Sequence, residues 1–196
     1  MLSKKTLMAL AIIASLGACS GVETTRNSPI ESIPTQIGLQ STRSASWRVQ
    51  EVRVNVPDTL TVSEANLFMP HSDIVWREDR FGDRRAQVKS IVELGVSQAV
   101  LEMNGVQPVI VEVELKRFHA LSQKARATIG GKHNILFTVT IRDAETGLQL
   151  VDTFPVEASL KAYGGQKAID AEMRGETQRV RISRHITEVI KQTFDL

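Results

Sequence analysis

Two carboxylates in the stretch "VEVEL" are the pair in this 196-residue chain whose spacing best fits acid–base chemistry. Glu112 and Glu114 alternate with valines, which predicts a strand carrying both acids on one face, about 7 Å apart. An inverting glycosidase needs two carboxyls roughly 6.5–9.5 Å apart, one to protonate the leaving oxygen and one to activate water. The solvent face of any half-covered strand looks the same, and no third group joins this pair. Hydrolysis of a glycan or peptide is therefore the alternative reading. His71, His119, His133 and His185 are widely separated and lack zinc spacing. "IGGKH" and "YGGQK" lack the glycine spacing and the hydroxyl of a phosphate loop, so they read as turns. No serine occupies a G-x-S-x-G elbow. No catalytic residue, metal or cofactor is expected, and the chain reads as a non-enzyme.

The single cysteine has a different chemistry. Cys19 closes an apolar run that follows Lys4 and Lys5, the pattern of a secretory leader. The run is shorter than the roughly 18–25 apolar residues of a spanning helix. Leu16-Gly17-Ala18-Cys19 resembles the lipobox of bacterial lipoproteins. That resemblance implies cleavage before Cys19, a diacylglycerol on its sulfur and a third acyl chain, a palmitate in the usual case, on its amine. Two chains already suffice for stable anchoring. Acylation also explains a lone thiol in an exported protein, which leaves no disulfide to hold the fold. Ser20 stands where an aspartate would signal inner-membrane retention. The expected address is thus the outer membrane, periplasmic face, and the hydrolase alternative becomes a periplasmic one.

Composition narrows the partners. Losing Lys4 and Lys5 from 24 basic residues leaves 22, against 22 acidic ones. A neutral exported chain is not a nucleic-acid binder. The charge is nonetheless unevenly spread. No acid occurs between Leu115 and Arg142, whereas Lys116, Arg117, Lys124, Arg126, Lys132 and Arg142 do. Much of this interval is "HALSQKARATIGGKHN", longer than a hairpin loop of about 2–5 residues. Either it is a solvated basic loop, or Lys124, Arg126 and Lys132 meet anionic lipid or an acidic envelope partner. Trp76, in "DIVWREDRFGDRR", has two readings as well. With Phe81 it plugs the end of the core, or it is an exposed interface anchor among arginines.

The elements that must position these residues follow from periodicity. Residues 1–18 form the leader, 19–46 a lipidated cysteine and tether rich in Ser, Thr, Pro, Gln and Asn, and 47–196 a single domain. "WRVQEVRVNVP" predicts a strand, with Trp47 and Val49 brought into phase by a bulge. An ordered loop with a short strand follows. Asp83 caps a helix whose stripe runs from Val88 through Ile91, Val92 and Val96 to Met103, stopped at Asn104-Gly105. Three alternating strands come next, "PVIVEVELKRF", "NILFTVTIRD" after the basic connection, and a returning segment from Leu148 to Leu160 with Pro155 at an edge. The C-terminal part is helical, broken near Gly175, with Ile169 and Met173 on one side and Ile182, Ile186 and Ile190 on another. The order β-α-β-β-β-α predicts a two-layer α+β domain, a mainly antiparallel sheet with helices on one face.

Four segments, "SEANLFMPHSDIVWRED", "RFHALSQKARATIGGKHNI", "LKAYGGQKAI" and "GETQRVRISRHI", are similar to an uncharacterised family of alphaproteobacterial lipoproteins, a domain of unknown function. That resemblance supports class and address and implies no mechanism. A looser likeness, to small envelope lipoproteins that assist transport machines, rests on element order alone. The leading expectation is a membrane-anchored, non-catalytic binding or assembly module of the cell envelope.

Overall fold

The computed structural model describes residues 44–196. The leader, Cys19 and nearly all of the expected tether lie outside the described residues. The elements are β1 (Trp47–Asn55), β2 (Ile74–Val75), α1 (Arg84–Ala99), β3 (Gln107–His119), α2 (Gln123–Ala127), β4 (Gly131–Asp143), β5 (Phe154–Glu157), β6 (Leu160–Ala162), α3 (Gly165–Met173) and α4 (Gln178–Phe194). The expected α+β class holds, with helices against one face of a six-stranded sheet.

Sheet order is β1-β3-β4-β5, with β2 alongside the end of β3 and β6 alongside the start of β4. β3 and β4 pair antiparallel, as do β4 and β5, but β1 and β3 run parallel. The parallel pair follows from α1, because a helical crossover returns the chain in its original direction. Gln50 is the surplus residue that lets both Val49 and Val52 face valines of β3, which is the expected bulge. The returning segment forms ladders only at Phe154–Glu157 and Leu160–Ala162. Leu148, assigned to it by alternation, is instead exposed. Pro155 sits on the edge strand, where a missing N–H costs no ladder bond.

The core lies between sheet and helices. Val109, Val111, Val113 and Leu115 of β3, with Ile135, Phe137, Val139 and Ile141 of β4, are all buried. They meet Val88, Ile91, Val92 and Val96 of α1 and Ile182, Ile186, Ile190 and Phe194 of α4. Asp83 caps α1 by accepting the Ala86 amide, as its type and position predict. The two long helices touch backbone to side chain at Gly95. A Cβ there would lie 2.7 Å from the Ser183 carbonyl oxygen, and Thr187 donates to the Gly95 carbonyl at 2.8 Å. Ile169 and Met173, which their spacing puts on one side of the helix, are exposed, and α3 buries Ala168 and Ala171 instead. At the near end of the sheet, Phe194 meets Trp47 and Phe154 edge-on, each at 6.2 Å.

The folded body also takes in Ser44, which composition assigns to the tether. Ser44 is 2% exposed, and its hydroxyl donates to the Phe194 carbonyl at 2.9 Å. Truncating Val92 or Ile135 to Ala should cost about 1–4 kcal/mol, combining lost transfer energy and a cavity. Ser44→Ala should cost about 1 kcal/mol by leaving the Phe194 carbonyl without that donor. Lys89→Ala, on the exposed side of α1, should stay within about 0.5 kcal/mol. Urea unfolding of the four variants checks this. Equal midpoints for the first three and Lys89→Ala would contradict the placement of the core.

Candidate functional site

The outer face of the sheet, uncovered by helices, holds both features that sequence singled out. At its centre lie Glu112 and Glu114, with Arg53, Lys116, Arg142 and three threonines around a shallow depression. Arg142 donates to Glu112 at 2.7 Å, Arg53 stands 3.9 Å from its other oxygen, and Lys116 bonds Glu114. Each carboxylate is thus tied to a cation on the same open face, which gives an ionic ladder rather than a cleft converging on a bond.

The other feature forms where the ladder of β3 slips. Leu115 pairs with Phe137 and Arg117 with Leu136, so Lys116 is surplus. Before the slip odd-numbered residues point to the core; beyond it Phe118 is buried, while Arg117 and His119 turn outward. A bulge re-aims side chains in this way. β2 then pairs in parallel with Phe118 and His119, and the carbonyls of Asp73 and Val75 accept the amides of Phe118 and Ala120, each at 2.9 Å. This fastening lays the loop from Thr61 to Asp73 over the end of the strand. Asp73 accepts the Thr61 amide at 2.9 Å and its hydroxyl at 2.8 Å. Those bonds, with Arg117 nearby, hold the Asp73 carboxyl below the usual carboxylate range. His119 Nε2 lies 2.8 Å from the Pro70 carbonyl.

The opposite wall is the connection between β3 and β4. It contains one helical turn, α2, whose N-cap Ser122 accepts the Ala125 amide. Asn66 of the facing loop accepts the Lys124 amide at 2.7 Å, and the Lys124 ammonium lies 4.6 Å from the Phe68 ring centre, close enough for a cation–π contact. The two diglycine stretches read as turns meet here. A Cβ on Gly164 would lie 1.9 Å from the Gly130 nitrogen, and Gly130 itself has φ +71°. Only residues without a Cβ fit at this crossing. Between the walls is an open groove of about 650 Å³, lined by Phe68, Met69, Pro70, Arg117, His119 and Ile129 among others.

The predicted contact residues separate accordingly. Lys124 and Lys132 flank the groove, and Lys132 is 3.0 Å from Glu157. Arg126 turns away to a two-point contact with Glu172 of α3, so the acid missing from its stretch of sequence arrives from another element. Trp76 is not an interface anchor. It is 0% exposed, packs edge-on against Phe118 at 5.8 Å and donates its indole N–H to Asp79 at 2.7 Å. Burying its large apolar area is the favourable alternative, and the Asp79 carboxylate satisfies the one polar atom. Phe81, its expected companion in the core, is exposed. Sequence reading missed the projecting tip Leu67-Phe68-Met69, Ile129 and the re-aimed Arg117. The visible signals were an apolar triplet in a polar, aperiodic segment and a phenylalanine that breaks the alternation of β3.

The groove's residues fall within residues 47–196, which match the model of a family of unknown function, DUF6778. The chain belongs to DUF6778. A comparison with curated proteins finds no relative. Among solved structures, the chain is similar to a crystal structure described as a "putative lipoprotein" from Caulobacter crescentus CB15, at 11% identity over 81% of this chain and 91% of that one. The TM-score is 0.32, too loose a likeness to carry a shared function. Among the described residues of this DUF6778 chain, no group of three His, Cys, Asp or Glu is placed to hold a metal ion.

One histidine of the basic interval lies behind the groove. His133 is 0% exposed on the core-facing side of β4, and neither ring nitrogen has a hydrogen-bond partner among the described residues. Burial, reinforced by the Arg181 guanidinium, pushes its pKa down to about 3 from 6.5. The native state therefore holds the ring neutral, while the unfolded chain takes a proton below pH 6.5. The stability due to this neutral ring is fully present above that pH and falls as pH drops toward 3. The slope is about 1.4 kcal/mol per pH unit for one proton. His133→Leu should flatten the stability profile between pH 6 and about 4.5, measured as urea midpoints across that range. Parallel profiles for the two proteins would mean that His133 is protonated in the fold or hydrated.

Proposed function

We propose that this chain is a lipid-anchored envelope protein whose α+β domain acts as a non-catalytic binding or assembly module. Acylation at Cys19 holds it to the outer membrane on the periplasmic face, and the groove at the bulged end of β3 is its binding surface. The observation that carries the binding role is the combination of exposed apolar side chains and cations at one end of the sheet. Leu67, Phe68, Met69 and Ile129 are 55%, 45%, 77% and 78% exposed, around a groove that also presents Arg117 and Lys132. Apolar surface concentrated at one place and rimmed by charge marks a surface that is covered in use. The Leu16–Cys19 sequence supports the anchor. Among the described residues no helix is long and apolar enough to cross a membrane.

Labelling of cells with a palmitate analogue, followed by separation of inner and outer membranes, tests the anchor. Wild-type protein should carry label and fractionate with the outer membrane. Cys19→Ser should lose the label and block lipoprotein-type processing, so that the protein keeps its leader and runs at its precursor size. An unlabelled wild-type protein recovered in the soluble periplasm would overturn the reading.

A further inference from the structure

Three consecutive apolar side chains at a loop tip are costly to leave in water, and folding alone gives no reason to put them there. The tip formed by Leu67, Phe68 and Met69 is nevertheless held out firmly. On one flank Asn66 accepts the Lys124 amide, and on the other the Pro70 carbonyl is held by His119. Phe68 rests against the Lys124 ammonium, and Ile129 stands exposed across the groove. The cations around this apolar cluster are incompletely used. Arg117 Nε is buried without a hydrogen-bond acceptor among the described residues, and the nearby Asp73 carboxylate bonds Thr61 instead. Among the described residues the Lys132 ammonium pairs with Glu157, and the side chain is 60% exposed.

Apolar side chains that project outward within a ring of cations fit a surface with apolar matter just beneath a layer of negative charge. A bilayer containing anionic phospholipid has that layering. An acidic protein segment would match the cations but would need its own cavity for a projecting tip. We infer that the groove end docks on an anionic phospholipid surface. Leu67, Phe68, Met69 and Ile129 enter the boundary between head groups and chains, and Lys124, Lys132 and Arg117 meet phosphates. This rests on the chain being a membrane-anchored binding module and names the surface that the module binds.

The test uses residues 19–196 with Cys19→Ser, the length that processing would leave, which includes every described residue and carries no acyl chain. Its sedimentation with phosphatidylcholine vesicles is measured with and without phosphatidylglycerol. Binding should be marked on the anionic vesicles, weak on the neutral ones and reduced by salt. Phe68→Ser with Met69→Ser should lower partitioning about tenfold or more. Lys124→Gln, Lys132→Gln or Arg117→Gln should each lower it about fivefold on anionic vesicles alone. Unchanged unfolding midpoints for the exposed Lys124, Lys132 and tip variants separate lost binding from lost folding. Wild-type protein that ignores both vesicles, or tip variants that bind as well as wild type, would overturn the inference. So would binding displaced by inorganic phosphate and retained by the tip variants, which would mark a site for free anions. Crosslinking of the tip to an acidic protein, without vesicle binding, would overturn it too. Failure of palmitate labelling would sink the anchor and leave this measurement untouched.

Discussion

β3 and β4, thirteen residues each, pair from Val109 to His119 against Asp143 to Asn134, and the other layers are arranged around the two faces that this ribbon creates. Over the paired length one face is Val, Leu, Ile and Phe, with His133 just beyond it in β4, so it must be covered, and α1 and α4 cover it. The other is mainly Glu, Lys, Arg and Thr, with Ile110 and Leu136 partly buried among them, and is left open. The ribbon outlasts its neighbours. β1 accompanies β3 only as far as Glu114 and β5 accompanies β4 only from Leu136 to Val139. At the far end the chain must fill the sheet edges with shorter pieces, β2 on one side and β6 on the other. The surplus Lys116 lies at the changeover. Were Lys116 paired in regular alternation instead of bulged out, Phe118 would turn to solvent and Arg117 into the core, which is the penalty of a one-residue slip. The groove is thus a consequence of how the ribbon ends.

Joining helices to this sheet at its polar corners takes charged groups, and they are satisfied almost completely. Arg84 is 5% exposed. Its guanidinium donates to both oxygens of Glu64, to the Asp79 and Arg80 carbonyls and to the Gln87 amide oxygen. Glu78 accepts the first two amides of α4, from Gln178 at 2.7 Å and Arg179 at 2.8 Å. A carboxylate there meets both unpaired donors and the positive end of the helix dipole. Arg179 bonds Asp79, which also holds the Trp76 indole. The segment "DIVWREDRFGDRR" therefore clamps α1 and α4 together. Its charge density, which suggested an interface, serves internal joints.

Legibility in the sequence followed the range of the interaction. The alternation of β3 and β4, the Asp83 cap, the Gln50 bulge and the break at Gly175 are written in neighbouring residues, and each can be read there. What could not be read depends on partners distant in sequence. Glu172 and Glu157 neutralise Arg126 and Lys132 from 46 and 25 residues away, so a run without acids is not a bare positive surface. Ile169 and Met173 repeat at helical spacing, but α3 is short and buries its alanines. Ser44 reads as linker because its hydroxyl bonds a carbonyl 150 residues later. The groove was half legible: its basic wall is contiguous, but its apolar tip and Arg117 come together only through the bulge and β2.

The groove and Ser44 lie at opposite ends of the sheet, which bears on how the proposed anchor and the groove could work together. Ser44 sits beside Phe194, where Trp47 pairs with Gln107 at the start of β3. The groove is at the other end of that strand, about 40 Å away for thirteen residues. From Cys19 to Ser44 the sequence supplies about 25 residues, whose reach is at most about 85 Å. If Cys19 is acylated and the groove docks on lipid, as proposed, that reach is enough for both to meet one leaflet, and groove contact would be a second, separable attachment. A tether that merely held the domain off the surface would need neither the apolar tip nor the cations around it. Their placement at the end opposite Ser44 would, on the proposed lipid contact, allow a bound and a free orientation, with local salt and lipid charge deciding between them.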